Sequence, residues 1–283
     1  MKNIFRACLI ASLVVPCALF ARRDEGLLVY MNFDDAKHPL TNISGTDREA
    51  SVFGVRSQAK LEAGKFVYSA VFSNANGNRA EPNNYAINLG ELDGYYNSSF
   101  SVAFWFKKSS RGNAQAMITG NRDWLKQNNA GWAITTIVGK TFTVRVANQD
   151  INVGFPALVD GNWHHVALVI DRRTGTMTCY GDGKVVGTPM KIPAGTVGHG
   201  METLVGASGS GAFAAPGDNK QKAYVDDYAI WTRALTAKEV VAMYNEGNGA
   251  RVPEPSMFSL IFGAGVLAAA LAVARRRRRA TSR

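Results

Sequence analysis

Residues 160–187 read DGNWHHVALVIDRRTGTMTCYGDGKVVG, and this stretch decides the fold. It contains two runs rich in apolar and β-branched residues, 163–171 and 176–181, which are typical of β-strands. Asp182 and Gly183 follow the second run, and Asp-Gly is a strong hairpin signal because both residues tolerate the backbone of a tight turn. The stretch therefore predicts neighbouring antiparallel strands.

Two adjacent histidines, half of the four in the chain, begin the first run. Because successive side chains of a strand point to opposite faces, His164 shares a face with Val166, whereas His165 shares one with Trp163. Adjacent strand positions do not readily chelate one metal ion, and both faces of this run are apolar. We therefore expect two buried, neutral histidines that hydrogen-bond to the backbone.

The same kind of pattern extends outward from Leu27 to Trp231, where short apolar or alternating runs lie between clusters of Gly, Asn and Asp. About a dozen such runs, with no long helix between them, predict an all-β fold, a two-sheet antiparallel sandwich of the jelly-roll type. The predicted strands are 27–33, 66–72, 85–89, 99–107, 114–120, 131–138, 141–147, 163–171, 176–181, 203–207 and 223–231.

One short helix is predicted after the last strand, in the sequence LTAKEVVAMYNEGNG at 235–249. Thr236 is a good N-cap residue, and Glu239 three positions later completes a capping box. Val240 and Met243 form an apolar face at helical spacing, and Gly247 suits the position after the helix.

The order of these pieces resembles the LamG-like family of concanavalin A-like jelly rolls, over residues 26–247. The carriers are LLVYMNFDD at 27–35, SFSVAFWFK at 99–107, the stretch at 160–187 and AYVDDYAIWTRALTAKEV at 223–240. The resemblance implies two packed antiparallel sheets, with binding loops or a concave face that often meets glycans. It does not imply catalysis.

The N-terminal sequence MKNIFRACLIASLVVPCALFA, residues 1–21, is typical of a secretory signal peptide. A short basic start precedes an apolar stretch, and cleavage is expected after Ala21. A lipoprotein signal that uses Cys17 and an uncleaved membrane anchor are the alternatives. With residues 1–21 removed, only Cys179 of the three cysteines stays, so the mature chain is expected to form no internal disulfide.

Residues 256–274 contain no charged side chain and predict a single C-terminal transmembrane helix. At 1.5 Å per residue this segment spans roughly 28 Å, close to the hydrocarbon thickness of a bilayer. Five consecutive arginines, Arg275 to Arg279, follow at once and predict a cytoplasmic C-terminus by the positive-inside rule.

This tail resembles the PEP-CTERM sorting signal of bacteria. The motif residues Pro253, Glu254 and Pro255 precede the apolar helix, and the arginine cluster, which includes Arg275, Arg276 and Arg277, ends it. The resemblance implies cleavage near the motif by an exosortase-type membrane protease and delivery to the cell envelope, outer surface or extracellular polysaccharide matrix. A plain stop-transfer anchor is the alternative, and both readings place the domain outside the cytoplasm.

The predicted organisation therefore has five parts. They are a signal peptide at 1–21, a LamG-like domain at 22–247, a linker with the Pro-Glu-Pro motif at 248–255, a transmembrane helix at 256–274 and an arginine-rich cytoplasmic tail at 275–283. The chain would first be anchored in the inner membrane.

The charge of +10 is concentrated at the two ends of the chain. Residues 22–252 carry 24 basic and 21 acidic groups and are nearly neutral. A basic groove for nucleic acid is therefore not expected.

The sequence offers weak support for catalysis. Related sandwich glucanases carry Glu-x-Asp-x-x-Glu on a strand, and Glu91 and Asp93 match its first two positions, but Tyr96 stands where the second glutamate is required. A retaining glycosidase needs two carboxyl groups about 5 Å apart. Because the motif is incomplete, we expect no enzyme activity.

The family resemblance implies calcium as a possible structural ion, bound by acidic loop residues and carbonyl groups. Asp34 and Asp35 match the family's position after the first strand, and Asp226 and Asp227 match its C-terminal Asp-Asp pair. First and last strands of a jelly roll are commonly neighbours, so the two pairs could meet. The alternative is that they are charged strand ends that face water.

Exposed aromatic side chains are the candidates for glycan binding, because sugar rings stack on them. Trp124, Tyr95 and Tyr96 lie in polar, loop-like sequence and are the candidate ligand-binding residues. The alternative for Trp124 is that it anchors a loop to the core. The other four tryptophans lie in predicted strands and are expected to be core or half-buried.

Together these features predict an exported, non-catalytic carbohydrate-binding or adhesive module whose partners are a glycan or exopolysaccharide, the sorting protease and the membrane. A glycoside hydrolase or lyase with an unrecognised site, and a purely structural surface protein, are the alternatives.

Overall fold

The structure is a computed structural model of the chain. It describes residues 24–54, 58–72, 85–108, 116–123, 126, 130–137, 141–147, 149–153, 160–192, 197–198, 200–209 and 222–246. The predicted signal peptide, linker, transmembrane helix and arginine-rich tail lie outside these residues. In the described part, no helix has the length and apolar character that crossing a bilayer requires.

The described residues form fifteen strands and two helices. The strands are β1 (Leu27–Met31), β2 (Ser51–Gly54), β3 (Leu61–Ala63), β4 (Tyr68–Phe72), β5 (Tyr85–Glu91), β6 (Phe100–Lys108), β7 (Ala116–Gly120), β8 (Trp132–Ile137), β9 (Thr141–Val146), β10 (Gln149–Val153), β11 (His164–Asp171), β12 (Thr176–Gly181), β13 (Lys184–Lys191), β14 (Glu202–Val205) and β15 (Ala223–Trp231). The helices are α1 (Asp93–Tyr96) and α2 (Ala237–Glu246).

The strands build two sheets in which all described pairs are antiparallel. Sheet I has the order β13-β12-β11-β6-β15-β4-β3, and β1 also pairs with β15. Sheet II has the order β10-β9-β8-β7-β14-β5-β2. The predicted all-β, two-sheet sandwich is confirmed, and β1 and β15 are neighbours as expected.

The main core lies between the sheets and follows from the two-residue period of the strands. On β6, Phe104 and Phe106 point inward and share a buried cluster with Trp132 and Ile134 of sheet II. Each fully buried phenylalanine stabilises the fold by about 1.5–3 kcal/mol relative to an exposed one. Between them, Ala103 points to the other face of sheet I and belongs to a second buried cluster.

That second cluster exists because α2 packs on the outer face of sheet I. Val240 and Met243 form the apolar side of the helix, Leu235 just before the helix joins the same cluster, and small residues such as Ala103 leave room for it. The predicted capping box is present. The Glu239 amide donates to Thr236 Oγ1 at 3.3 Å, and the Thr236 amide donates to Glu239 Oε2 at 2.7 Å.

The two histidines differ from the prediction and from each other. His165 is buried on the outer face of sheet I, and burial lowers its pKa to about 4, so the ring is neutral as expected. Its two ring nitrogens have no hydrogen-bonding partner among the described residues, so the predicted backbone bonds are absent.

His164, by contrast, is half-buried, and its ring contacts side-chain carboxylates instead of the backbone. Its Nδ1 lies 2.9 Å from Asp182 Oδ2 and its Nε2 lies 3.1 Å from Asp160 Oδ1. The hydrogen bond to Asp182 raises the histidine pKa against the effect of partial burial, and Asp160 adds to the rise. The prediction was wrong here because Asp160 and Asp182, on the flanking turns, both reach the end of the strand.

Candidate functional site

A cleft of about 1140 Å³ lies at one edge of the sandwich. The edge strands β2 and β3 end sheets II and I, and the long connection from β1 to β2 runs over the space beside them. Lys37, His38, Asp47, Arg48, Gln58 and Tyr68 are among the side chains that line it. We refer to this cavity as the edge cleft.

Side-chain hydrogen bonds hold the connection that forms the wall of the edge cleft. Asn42 Oδ1 accepts a hydrogen bond from the Tyr30 amide at 2.8 Å, and Asn42 Nδ2 donates to the Leu28 carbonyl at 3.3 Å. Thr46 Oγ1 and Ser44 Oγ also donate to that carbonyl, at 2.7 and 3.0 Å. The sequence Asn-Ile-Ser-Gly-Thr thus fastens the loop to β1, because such short polar side chains readily bond nearby backbone groups.

A tight turn places His38 at the edge cleft. Asp35 Oδ1 accepts hydrogen bonds from the amides of Lys37 and His38 at 2.8 and 3.3 Å, an Asx-turn arrangement. Asp35 Oδ2 lies 3.2 Å from His38 Nδ1. The Lys37 amide and the His38 side chain lower the pKa of Asp35, so the carboxylate is ionised and fixes the turn.

Of the predicted aromatic candidates, Tyr95 lies beside the edge cleft. Arg48 Nη2 donates to the Tyr95 hydroxyl at 3.3 Å, and the guanidinium carbon stands 5.4 Å from the centre of the ring. Tyr95 is half-buried against the main core. Its contact with a cleft-lining arginine makes it a supporting residue of the cleft.

Tyr96 does not lie on the surface, and the expectation of an exposed ring was wrong. It is fully buried, its hydroxyl hydrogen-bonds with Thr203 Oγ1 at 2.8 Å, and its ring packs against Phe100 and Trp132. The short helix α1 turns the two tyrosines in different directions, so only Tyr95 is half-exposed. Trp124, the remaining candidate, lies outside the described residues.

Tyr68 supplies an aromatic surface that the sequence did not single out. It is 38% exposed at the start of β4, and its amide donates to Asp34 Oδ1 at 3.4 Å. Val67 beside it is also exposed. The segment Val67-Tyr68 belonged to the predicted strand 66–72, and Tyr68 was not among the candidate ligand-binding residues.

The edge cleft combines an aromatic ring with charges that largely cancel. Lys37 and Arg48 are balanced by Asp47 and Glu49, and Gln58 adds both a donor and an acceptor. A sugar hydroxyl also both donates and accepts, and the apolar face of a sugar ring can lie on a tyrosine. The cleft therefore suits a neutral polyhydroxylated ligand better than a strongly charged one.

The predicted calcium ligands do not fit a calcium ion. Asp226 is completely buried, its Oδ2 accepts hydrogen bonds from the amides of Lys65 and Phe66 at 2.8 and 3.2 Å, and its Oδ1 accepts one from the Asp227 amide at 2.8 Å. Gly64 completes this nest, since a Cβ there would stand 2.6 Å from Asp226 Oδ2.

Asp34 lies close enough to Asp226 for its charge to raise the pKa of Asp226, whereas Asp227 and Asp35 have partners of their own. Asp227 adopts a positive φ of 47° at a bulge of β15, and its Oδ1 accepts a hydrogen bond from the Tyr30 hydroxyl at 2.9 Å. Asp35 is bound to its own turn. Among the described residues no group of three or more His, Cys, Asp or Glu side chains could hold a metal ion. The Asp-Asp pair is therefore a structural bulge.

The incomplete glucanase motif is divided between two elements. Glu91 is the last residue of β5 and is exposed, whereas Asp93 begins α1. The two residues therefore do not lie on one strand. Burial raises the pKa of the Cys179 thiol to about 12, so this cysteine is not suited to act as a nucleophile at neutral pH.

Residues 82–241, more than half of the chain, match the family model of the concanavalin A-like lectin/glucanase superfamily, Laminin G type 3. The chain belongs to this superfamily. Membership agrees with the two-sheet sandwich and confirms the LamG-like resemblance of the strand sequences.

Solved structures similar to this concanavalin A-like domain include binding domains of bacterial toxins. The binding domain of Paraclostridial Mosquitocidal Protein 1 aligns with a TM-score of 0.61 at 15% identity, over 79% of this chain and 53% of that one. The receptor-binding domain of the botulinum neurotoxin C/D mosaic serotype aligns with a TM-score of 0.60 at 14% identity, over 79% and 52%. At these identities the likeness shows the fold alone, and this chain spans about half the length of those structures.

A curated relative covers a smaller part of the chain. The calpain-type cysteine protease DEK1 of Arabidopsis thaliana is 23% identical over 139 residues, which are 46% of this chain and 6% of that protein. The match concerns a small part of a much longer protein and transfers no protease activity to this domain.

Proposed function

We propose that this protein is an exported, non-catalytic glycan-binding module that holds a neutral oligosaccharide in the edge cleft and is delivered to the bacterial envelope or its polysaccharide matrix. The observation that carries the proposal is the cleft itself, about 1140 Å³ in volume and lined by the exposed ring of Tyr68 together with hydrogen-bonding groups of both signs. Ligand sites for small molecules occupy about 300–1,000 Å³, so this one has room for several sugar units.

The rigidity of the cleft wall supports the proposal. The hydrogen bonds of Asn42, Ser44 and Thr46 to β1 fix the connection before any ligand arrives. A preformed site loses less conformational entropy on binding than a flexible loop does, and this improves affinity. Weak individual contacts to sugar hydroxyls can then sum to useful binding.

The similar structures of toxin binding domains also support glycan binding. One of them, the binding domain of botulinum neurotoxin DC, was solved in complex with SialylT. For another, botulinum neurotoxin type C, cell entry is dependent upon interaction with two ganglioside molecules. Glycan recognition therefore occurs in proteins that contain this fold, and we extend it to this chain by proposal.

The proposal of export and sorting is based on the N-terminal and C-terminal segments of the sequence. The signal-peptide pattern at 1–21 and the tail with Pro253-Glu254-Pro255, an apolar segment and an arginine cluster support delivery through an exosortase-type protease. Replacing Pro253-Glu254-Pro255 by three alanines should leave the protein in the inner membrane. Unchanged release to the outer surface after fractionation of the cells would contradict the sorting proposal.

The cleft is tested with the purified full-length chain in detergent on an array of neutral and acidic oligosaccharides. We expect neutral glycans among the ligands, at least tenfold weaker binding by Tyr68→Ala, and normal binding by the control Val67→Ala, which removes the adjacent exposed side chain. Undiminished binding by Tyr68→Ala would place the glycan elsewhere, and release of shortened oligosaccharides from a bound glycan would favour the enzyme alternative.

A further inference from the structure

The outer face of sheet I carries two aromatic rings on either side of one lysine. Lys107 Nζ lies 4.4 Å from the centre of the Tyr224 ring and 5.0 Å from that of Trp163. The two rings stand edge to face, with their centres 6.2 Å apart. Tyr224 and Lys107 are directly paired across β15 and β6, and residues paired in this way point to the same face.

This part of the face lies beyond the cover of α2. The helix covers small residues of sheet I such as Ala103, Ala167 and Ala229, and the ring of Tyr244 stacks on Trp105 at 5.8 Å. Farther along the same strands the side chains become long and half-buried instead of small and covered. Beyond Trp105, the outer face of sheet I therefore changes from a surface that packs against α2 to one that contacts solvent.

A carboxylate and two more lysines extend the array across β3. Lys222 Nζ donates to Glu62 Oε1 and Oε2 at 2.6 and 2.9 Å, Lys60 Nζ lies 3.3 Å from Oε1, and the Tyr224 hydroxyl donates to Oε2 at 3.2 Å. Although partial burial opposes it, the hydrogen bond from Lys222 together with Lys60 lowers the pKa of Glu62. The lysine–aromatic surface consists of Lys60, Glu62, Lys107, Trp163, Lys222 and Tyr224.

The charge of the lysine–aromatic surface is positive, because three ammonium groups face one carboxylate. In the described part of the chain, no carboxylate lies within ion-pairing distance of Lys107 Nζ. The two rings hold this ammonium in place through cation–π attraction, which leaves its remaining N–H groups available to an incoming anion.

We propose that the lysine–aromatic surface binds an acidic polysaccharide through its uronic-acid residues. The apolar face of a sugar ring can lie on Trp163 or Tyr224, while the sugar carboxylate pairs with Lys107. Aromatic side chains with a polar edge suit such half-wet contacts. This site shares no residue with the edge cleft and has the opposite preference for ligand charge, so it stands independently of the proposed cleft function.

The test measures binding of a galacturonic-acid oligomer to the full-length chain, beside its methyl ester and a single-stranded dT oligomer. We expect binding of the acid alone, about tenfold loss with Lys107→Gln, near-normal binding with Lys107→Arg and tighter binding with Glu62→Gln. Lys191→Gln, an exposed lysine at the end of β13, is the matched control, and Tyr68→Ala should change nothing.

Three outcomes would overturn the proposal. They are equal binding of the methyl ester, binding of the dT oligomer as tight as that of the acid, and unchanged binding by Lys107→Gln. Melting temperatures of all variants separate a structural effect from a binding effect. A variant that is destabilised by loss of the cation–π contacts yet still binds the acid normally would assign Lys107 a structural role instead.

Discussion

His165 occupies an unusual environment for a polar residue. Its ring is 1% exposed, lies 5.4 Å from that of Trp105 and 6.5 Å from that of Tyr244, and bears two nitrogens without hydrogen-bonding partners in the described part of the chain. A buried polar group without a partner costs about 1–3 kcal/mol. The chain therefore tolerates histidine here rather than gaining stability from it.

We expect His165→Phe to raise the free energy of unfolding by about 1 kcal/mol at pH 7, because a phenyl ring fills the same space without polar atoms. The folded pKa of about 4 lies below the unfolded value of 6.5, so His165 destabilises the protein as the pH falls from 6.5 towards 4. The stability difference between wild type and variant should therefore widen over that range in chemical denaturation. A constant difference would contradict the assignment.

Asp226 has the opposite pH behaviour. Burial, together with the nearby charge of Asp34, raises its pKa to about 7, above the ordinary value of 3.8, although three backbone amides favour the charged form. The folded state then binds more protons than the unfolded state between pH 4 and 7, so this group's contribution to stability falls as the pH rises through that range.

The variant Asp226→Asn should remove this pH dependence of the free energy of unfolding, which amounts to about 2–4 kcal/mol between pH 4 and 7. Denaturant titrations of wild type and variant at half-unit pH steps measure it. Because the carboxylate oxygens already accept backbone hydrogen bonds, we also expect millimolar calcium to leave the melting temperature unchanged. A calcium-dependent rise that Asp226→Asn abolishes would restore the calcium hypothesis.

The sequence patterns single out these residues but do not show which other residues surround them in the fold. The Asp-Asp pair was recognised at its place in the family pattern, yet the partners of Asp226 come from residues 65 and 66, far away in sequence. Tyr96 was misplaced for the same reason, since Thr203 is 107 residues distant. Long-range register determines both environments, and no local pattern contains it.

At the scale of elements, the helix α2 shows what local signals can determine. Its capping box was readable from four residues, and the structure adds the ion pair of Arg233 Nη2 with Glu239 Oε1 at 2.6 Å. Glu239 is therefore bound both by the helix start and by the chain before it. The ion pair thus joins the first turn of α2 to the segment that follows β15.

We expect Thr236→Ala to cost about 0.5–2 kcal/mol of stability, because the capping hydrogen bond to the Glu239 amide is lost. Lys238→Ala, an exposed change in the same turn, is the control and should have little effect. Thermal unfolding followed by circular dichroism measures both. Equal melting temperatures for the two variants would mean that α2 is held by packing alone.

All eleven predicted strands are present, whereas β2, β3, β10 and β13 were missed. Two physical reasons account for most of these. β2 and β3 are edge strands of four and three residues with little buried surface, so they lack an apolar run. β13 is exposed along most of its length and contains Gly187 and Pro189, which is typical of an edge strand.

At the scale of the whole molecule, the sandwich separates two surfaces of different charge. The edge cleft lies beside β3 between the sheets, and the lysine–aromatic surface crosses β3 on the outer face of sheet I. Composition alone indicated a nearly neutral domain, which is true in sum. The fold, by bringing β3, β6 and β15 together, concentrates lysines on one face and leaves the cleft balanced.

This separation predicts different salt responses at the two surfaces. Exposed charges are screened over about 10 Å at 0.1 M salt and about 3 Å at 1 M, so contacts that depend on Lys107 and its neighbours weaken as salt rises. We expect binding of the galacturonic-acid oligomer to fall at least tenfold between 0.05 and 0.5 M sodium chloride. Binding of a neutral oligosaccharide that requires Tyr68 should change less than twofold over the same range, because hydrogen bonds and ring stacking account for its affinity. Parallel salt titrations of both ligands on the full-length chain test this. A common salt dependence would mean that both ligands use one site.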